Sequence, residues 1–218
     1  MKGCSILTTG ARSVQPTGAV PCPLPTCDWC WCTYYRVRGR SWANATPEGN
    51  RVELEHLTAR DPAEHSAPGL VAYLDGRAIG WVSLGPRDDY DRLAHSTVLA
   101  PIDDTPVWSI VCFVVSRRAR RQGIAAALLD AAIAYGRERG ATILEAYPVD
   151  AGGGRVPAAS AFHGTLAMFE RAGFRVVARR QWNAASPIRP IVRLEIGKRS
   201  AARSQARSGE LTRRSHAR

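Results

Sequence analysis

The spacing of apolar residues along the 218-residue chain changes several times, and each change predicts an element. Val107–Val115 (VWSIVCFVV) is almost unbroken apolar, the pattern of a central strand buried on both faces. Gly123–Arg139 then takes the helical period. Ile124, Leu128, Ala132 and Tyr135 form one stripe with Ala125, Leu129 and Ile133 beside it, and Gly140 supplies the stop. Upstream, Leu70–Leu74 and Ala78–Leu84 flank Asp75-Gly76 and predict a hairpin. Before that, Thr46-Pro47-Glu48 marks a helix start, with Thr46 as N-cap and Pro47 in the first turn. Val52, Leu54 and Leu57 line one side of this helix, which ends before Asp61-Pro62. Residues 86–106 form a polar, Pro-bounded loop with a short helix near Tyr90–Ala94. Ala141–Tyr147 is the next strand, ended by Pro148. Gly152-Gly153-Gly154 leads to a second helix over roughly Ala158–Ala172, closed by Gly173. Phe174–Arg180 and Ile191–Ile196 are closing strands. Hairpin, strand, helix, strand, helix, strand, strand is the order of a layered α/β fold with a mixed sheet (α+β).

Composition sets the domain limits. Apolar residues make up 45% of the chain, as in a globular protein. Residues 1–26 are rich in Gly, Pro, Ser and Thr without a period and are expected to be poorly ordered; residues 27–197 form the domain. The net charge of +11 is concentrated at the end: residues 198–218 hold seven Lys/Arg against Glu210, with Leu211 as the only large aliphatic. Such a tail buries no core and is expected to be disordered, as a solubilising extension rather than a specific nucleic-acid or membrane ligand. There is no apolar run of membrane-spanning length and no basic-then-apolar leader pattern, so the expected compartment is the cytoplasm.

Candidate chemistry sits where the central strand meets the long helix, in VCFVVSRRARRQGIAAALLD. Free N–H groups and the positive dipole end at a helix start favour phosphate. Gly123 lets phosphate oxygens approach the backbone, Ala125 is small, and Arg117, Arg118, Arg120 and Arg121 add charge. The turn lacks the Gly-Lys-Ser/Thr of a nucleoside-triphosphate loop and the glycine triplet of a dinucleotide fold. An ordinary strand–helix junction with solvated arginines is the competing reading.

Arg120-Arg121-Gln122-Gly123-Ile124-Ala125 resembles the R/Q-x-x-G-x-G/A signature of the GNAT superfamily of N-acetyltransferases. AYLDGRAIGWV resembles the paired strands that precede that family's central strand, and AMFERAGFRVV resembles its second helix-to-strand passage. The ordered set spans about residues 68–180, and VWSIVCF and EAYPVD also resemble an uncharacterised bacterial subgroup. The resemblance implies a three-layer fold with a splayed central pair of strands and acetyl-CoA as co-substrate. It implies that main-chain groups of Phe113, Val114 and Val115 hold the pantetheine arm. Arg120, Arg121, Gln122, Gly123, Ile124 and Ala125 would hold the pyrophosphate. It also implies direct attack by an amine, in a small molecule or peptide, on the thioester, with no metal. A homodimer stays open.

Phe169 stands where the family often has a Tyr beside the CoA sulfur, and Phe162 where a polar residue is common. Thr165, on the same helix face, is then the expected hydroxyl contact to CoA, while His163 should point elsewhere. These departures also fit a non-catalytic acyl-CoA sensor. Glu145, on the strand facing the cofactor gap, is the first candidate for a general base; an arginine-paired carboxylate is the alternative. Tyr147, Asp150 and Asp104 follow, and His56 and His95 read as surface residues. Cys22, Cys27, Cys30 and Cys32 have spacing that fits iron–sulfur or zinc ligation in part, but the favoured reading is reduced thiols, with Cys30 and Cys32 lining a substrate entrance. Cys112 reads as a core residue. Trp31, Tyr34, Tyr35 and Trp42 suggest an apolar pocket wall or core packing.

Overall fold

A computed structural model describes residues 6–8, 12–16, 31–150, 152 and 162–197. Its elements are, in order, β1 (Ile6–Thr8), β2 (Arg12–Pro16), α1 (Gly39–Ala43), α2 (Pro47–Thr58), β3 (Gly69–Leu74), β4 (Arg77–Pro86), α3 (Asp91–Ala94), β5 (Trp108–Val115), α4 (Ile124–Glu138), β6 (Ile143–Ala146), α5 (Leu166–Arg171), β7 (Arg175–Arg180) and β8 (Arg189–Glu195). Eight strands form one mixed sheet in the order β1-β2-β3-β4-β5-β6-β8-β7, in which only β5 and β6 run parallel.

Local chemistry accounts for most boundaries. Thr46 caps α2, its hydroxyl accepting from the Gly49 N–H at 3.0 Å, with Pro47 in the first turn. Leu54 and Leu57 face inward as expected, whereas Val52 is exposed. The β3–β4 turn is the expected Asp75-Gly76 pair, with φ of 49° and 73°, the left-handed pair that suits a two-residue hairpin.

Two expectations need correction. Within the segment read as poorly ordered, β1 and β2 pair with each other, and β2 runs antiparallel to β3 over five residues. Backbone pairing on an open sheet edge needs no hydrophobic period, so no apolar pattern marks it in the chain. The second predicted helix, where described, is also shorter: α5 starts at Leu166. Gly164 has φ +74°, a left-handed conformation that ends any helical path before Thr165.

Two apolar layers sandwich the sheet. On one face α4 and α5 bury Leu128, Leu129, Leu144, Phe169 and Ile196 against the strands. On the other face, segment 31–37, α2 and α3 cover Trp81, Tyr90, Val111, Cys112, Tyr147 and Ile191. No helix among the described residues is long and apolar enough to cross a membrane.

Candidate active site

The central feature is a gap beside β5. β5 and β6 pair only from Trp108 to Ile110, opposite Leu144 to Ala146. β5 then continues through Val115, while the neighbouring chain reaches Tyr147 and Pro148 and turns away to bridge Val149 with Thr165. A bulge in β5 marks the point of separation. Ser83 pairs with Cys112 and Leu84 with Ile110, so Val111 has no partner in either register. Val111 and Cys112 consequently both belong to the second apolar layer, while Ile110 and Phe113 belong to the first. Phe113, Val114 and Val115 thus present a strand edge free of β6, where an extended ligand can add as a strand.

This edge leads into the turn before α4. Arg117–Ala119 forms a single 3-10 turn, Arg121 has φ +60° and Gly123, the N-cap, has φ +78°. A Cβ at Gly123 would meet no atom within 4 Å, so the cradle is open at that point. The loop is held from beneath: Arg120 Nε donates to the Val115 carbonyl at 3.3 Å and Gln122 Nε2 to the Arg118 carbonyl at 2.8 Å. Ile124 is buried and anchors the helix, while Arg117, Arg118, Arg120 and Arg121 are exposed. A left-handed N-cap glycine among exposed arginines, ahead of a 15-residue helix, is a fitting receptor for a pyrophosphate.

The other nominated residues have different surroundings. Glu145 is fully buried and accepts from Arg87 Nη1, from Arg193 Nε at 2.7 Å and from the Tyr147 hydroxyl at 2.8 Å. Arg193 also grips Asp103 with both Nη groups, and hydrogen bonding from Arg193 holds the Asp103 carboxyl well below the usual range. The geometry is that of the arginine-paired carboxylate. Burial, with the Glu145 charge second, pushes the Tyr147 phenol far above its ordinary value; its oxygen also lies 3.0 Å from Ser109 Oγ. Asp150 accepts from the Gly152 N–H and from Arg179. Asp104, His56 and His95 are exposed.

Thr165 is the N-cap of α5, its Oγ accepting from the Met168 N–H at 3.3 Å, rather than a residue within the helix. Phe169 is sealed between Phe113 and Phe174, with ring centroids 6.0 and 5.0 Å away. His163 does not point away from Phe162: their rings lie 4.0 Å apart. His163 Nε2 lies 3.3 Å from the Tyr35 hydroxyl, and burial drives the imidazole pKa down to about 3. Tyr34 packs edge-on against Trp42, with Arg92 stacked over both rings. Cys32 and Cys112 are buried with their sulfurs 3.5 Å apart, so Cys32 does not line an entrance. Cys22, Cys27 and Cys30 lie outside the described residues. The Tyr35–His163 pair and Arg189 beside it escaped the sequence reading. The only signal was an arginine flanked by Ile188 and Pro190 at the start of a closing strand.

Comparisons with known proteins agree with this architecture. The model of the Acetyltransferase (GNAT) family matches residues 26–174. Among solved structures, yncA, a putative acetyltransferase from Salmonella typhimurium with its cofactor acetyl-CoA, superposes with a TM-score of 0.50 at 14% identity, covering 88% of this chain and 98% of that one. A putative GNAT-family acetyltransferase from Desulfovibrio desulfuricans gives 0.47 at 21% identity, covering 86% and 100%. Ard1 from Thermoplasma volcanium gives 0.47 at 14%, covering 85% and 97%. No curated protein matches at the sequence level. With a family model covering more than half its length and a mixed sheet that opens beside its central strand, the chain belongs to the GNAT acetyltransferase family.

Proposed function

We propose that the protein transfers the acetyl group of acetyl-CoA to a primary amine by direct attack within a ternary complex. The observation that carries this reading is the continuity of the gap beside Val111–Val115 with the open turn at Gly123. Acetyl-CoA supplies an activated thioester there. Main-chain groups of Phe113, Val114 and Val115 bond the pantetheine arm as an added strand. Main-chain N–H groups from Arg121 to Ala125 hold the pyrophosphate, with Arg120 and neighbouring arginines screening its charge. The Thr165 hydroxyl accepts in the α5 cap and keeps its own hydrogen for the co-substrate.

The amine nitrogen forms the new C–N bond as the C–S bond breaks; the thiolate carries away the electron pair, and the amine proton passes to solvent. Val111, unpaired at the head of the gap, offers the backbone group placed to polarise the acyl oxygen. We assign no proton transfer to Glu145, whose carboxylate is consumed by two guanidiniums and a phenol. Tyr147 stays protonated and acts as a positioning donor. Catalysis then rests on holding the two substrates together, an effect worth many orders of magnitude by itself.

A specific observation favours one rival. Phe169 is fully buried in an aromatic cluster and cannot donate to a departing sulfur, which suits a silent acyl-CoA sensor. Incubation with acetyl-CoA and a panel of amines, read as free thiol, separates the two. Amine-dependent thiol release is the expected result. Tight binding of acetyl-CoA without release by any amine would select the sensor.

A further inference from the structure

The face of the sheet opposite α4 carries a cation, Arg189, without an ion-pair partner among the described residues. β8 runs antiparallel to β6 and pairs Val192 with Ala146, so Arg189, three residues earlier, lies past the end of β6, where the chain leaves β5 and bridges Val149 to Thr165. Its cross-strand partner on β7 is Arg180. Two like charges opposite each other in a ladder repel. Arg180 is held by the carbonyls of Ala100 and Pro101. Arg189 forms no ion pair among the described residues, and its Nη1 is buried there without a hydrogen-bond partner. A buried guanidinium nitrogen in that state is costly, so its retention calls for an acceptor.

Among the described residues the neighbours supply none. Tyr35 and His163 lie within electrostatic reach of Arg189 and hydrogen-bond each other. Burial keeps His163 neutral and raises the Tyr35 phenol, so neither brings a negative charge. The cluster adjoins the proposed reaction site. Gly164, next to His163, packs beside β5: a Cβ there would come within 3.6 Å of the Phe113 ring, on the other side of the sheet. Tyr35 packs in the same layer as Cys112 and Tyr147.

We propose that Arg189 receives the carboxylate of the acceptor, so that the amine acetylated by this protein belongs to the class of amino acids and other carboxylate-bearing amines. This rests on the acetyl-transfer reading. The planar guanidinium fork matches a carboxylate, the bound anion relieves the Arg180–Arg189 repulsion, and it occupies the orphaned Nη1.

The test uses amines in matched pairs, each free amino acid against its own amide, with a dipeptide bearing the same amino terminus as a third arm. Thiol release gives kcat/KM, and calorimetry gives the acetyl-CoA Kd. Wild type should prefer the free carboxylate by roughly tenfold or more, the scale of a charge-assisted hydrogen bond. Arg189→Met should reduce turnover of the acid to that of its amide, with the acetyl-CoA Kd unchanged, and Arg189→Lys should keep part of the preference. Should Arg189→Met also lose acetyl-CoA affinity, Arg189→Lys carries the comparison alone: a partial loss of preference supports the assignment and full retention overturns it. Preference for the dipeptide over the amino acid would identify a peptide carboxylate as the source. Equal turnover of acid and amide by wild type, or a preference that survives Arg189→Met, overturns the role of Arg189 but leaves acetyl transfer standing. Thiol release by no amine at all removes the acetyl-transfer reading, and this inference with it.

Discussion

Glu145 shows how much the meaning of a residue depends on its neighbours. In the sequence it is a carboxylate on a strand that faces a cofactor gap. In the fold it joins β6 to the 87–89 turn through Arg87 and to β8 through Arg193, with Tyr147 as a third donor. Breaking a buried ion pair from one side leaves uncompensated charge. Glu145→Gln should therefore destabilise the protein by about 3 kcal/mol in denaturant titrations, with the acetyl-CoA Kd unchanged. A stable variant whose kcat alone collapsed would restore Glu145 as the base. His163 has a consequence for pH. Its folded pKa of about 3 lies below the ordinary value of 6.5, so in that window the unfolded chain binds more protons. Stability is thus present above about pH 6.5 and declines as pH falls toward 3. His163→Gln should flatten this part of the profile, measured as denaturant midpoints at pH 4.5 and 7; an unchanged slope would remove the histidine as its cause.

At the scale of elements, legibility followed chemistry that acts over short range. The cap at Thr46, the Asp75-Gly76 turn, the helical stripe of α4 and the apolar run of β5 are each fixed by residues within a few positions, and each lies where the sequence put it. The start of α5 was not legible. Helical propensity across 158–172 gave no sign that Gly164 takes the left-handed region, at a place where a side chain would crowd Met168, Phe169 and Phe113. A Cβ there would meet Met168 Cε at 2.7 Å and Phe169 Cε2 at 3.0 Å. Gly164→Ala should thus cost about 2 kcal/mol or more through backbone strain and overpacking, seen as a lower thermal midpoint; an unchanged midpoint would show that the α5 start can rearrange.

On the scale of the whole molecule, the fold was legible as an order of elements, and the gap was not. Where two parallel strands part depends on the bulge at Val111, on Pro148 and on the bridge from Val149 to Thr165, none of which has a periodic signature. The β1–β2 edge was hidden for a similar reason, since backbone pairing carries no side-chain code. The same logic explains why Arg189 was missed: only the assembled sheet sets it beside Arg180, Tyr35 and His163. The turn before α4 was legible throughout, because strand, arginines, glycine and helix are contiguous in the chain. The account of function depends on that turn. Calorimetric titration of acetyl-CoA into wild type and Gly123→Glu tests it most directly. A Cβ at Gly123 meets no atom within 4 Å, and the left-handed φ costs about 1 kcal/mol, so the domain should stay folded. Wild type should bind with a stoichiometry near one per chain, and Gly123→Glu, which sets an anion in the pyrophosphate cradle, should show no binding heat. Equal affinity in the two folded proteins would contradict the account.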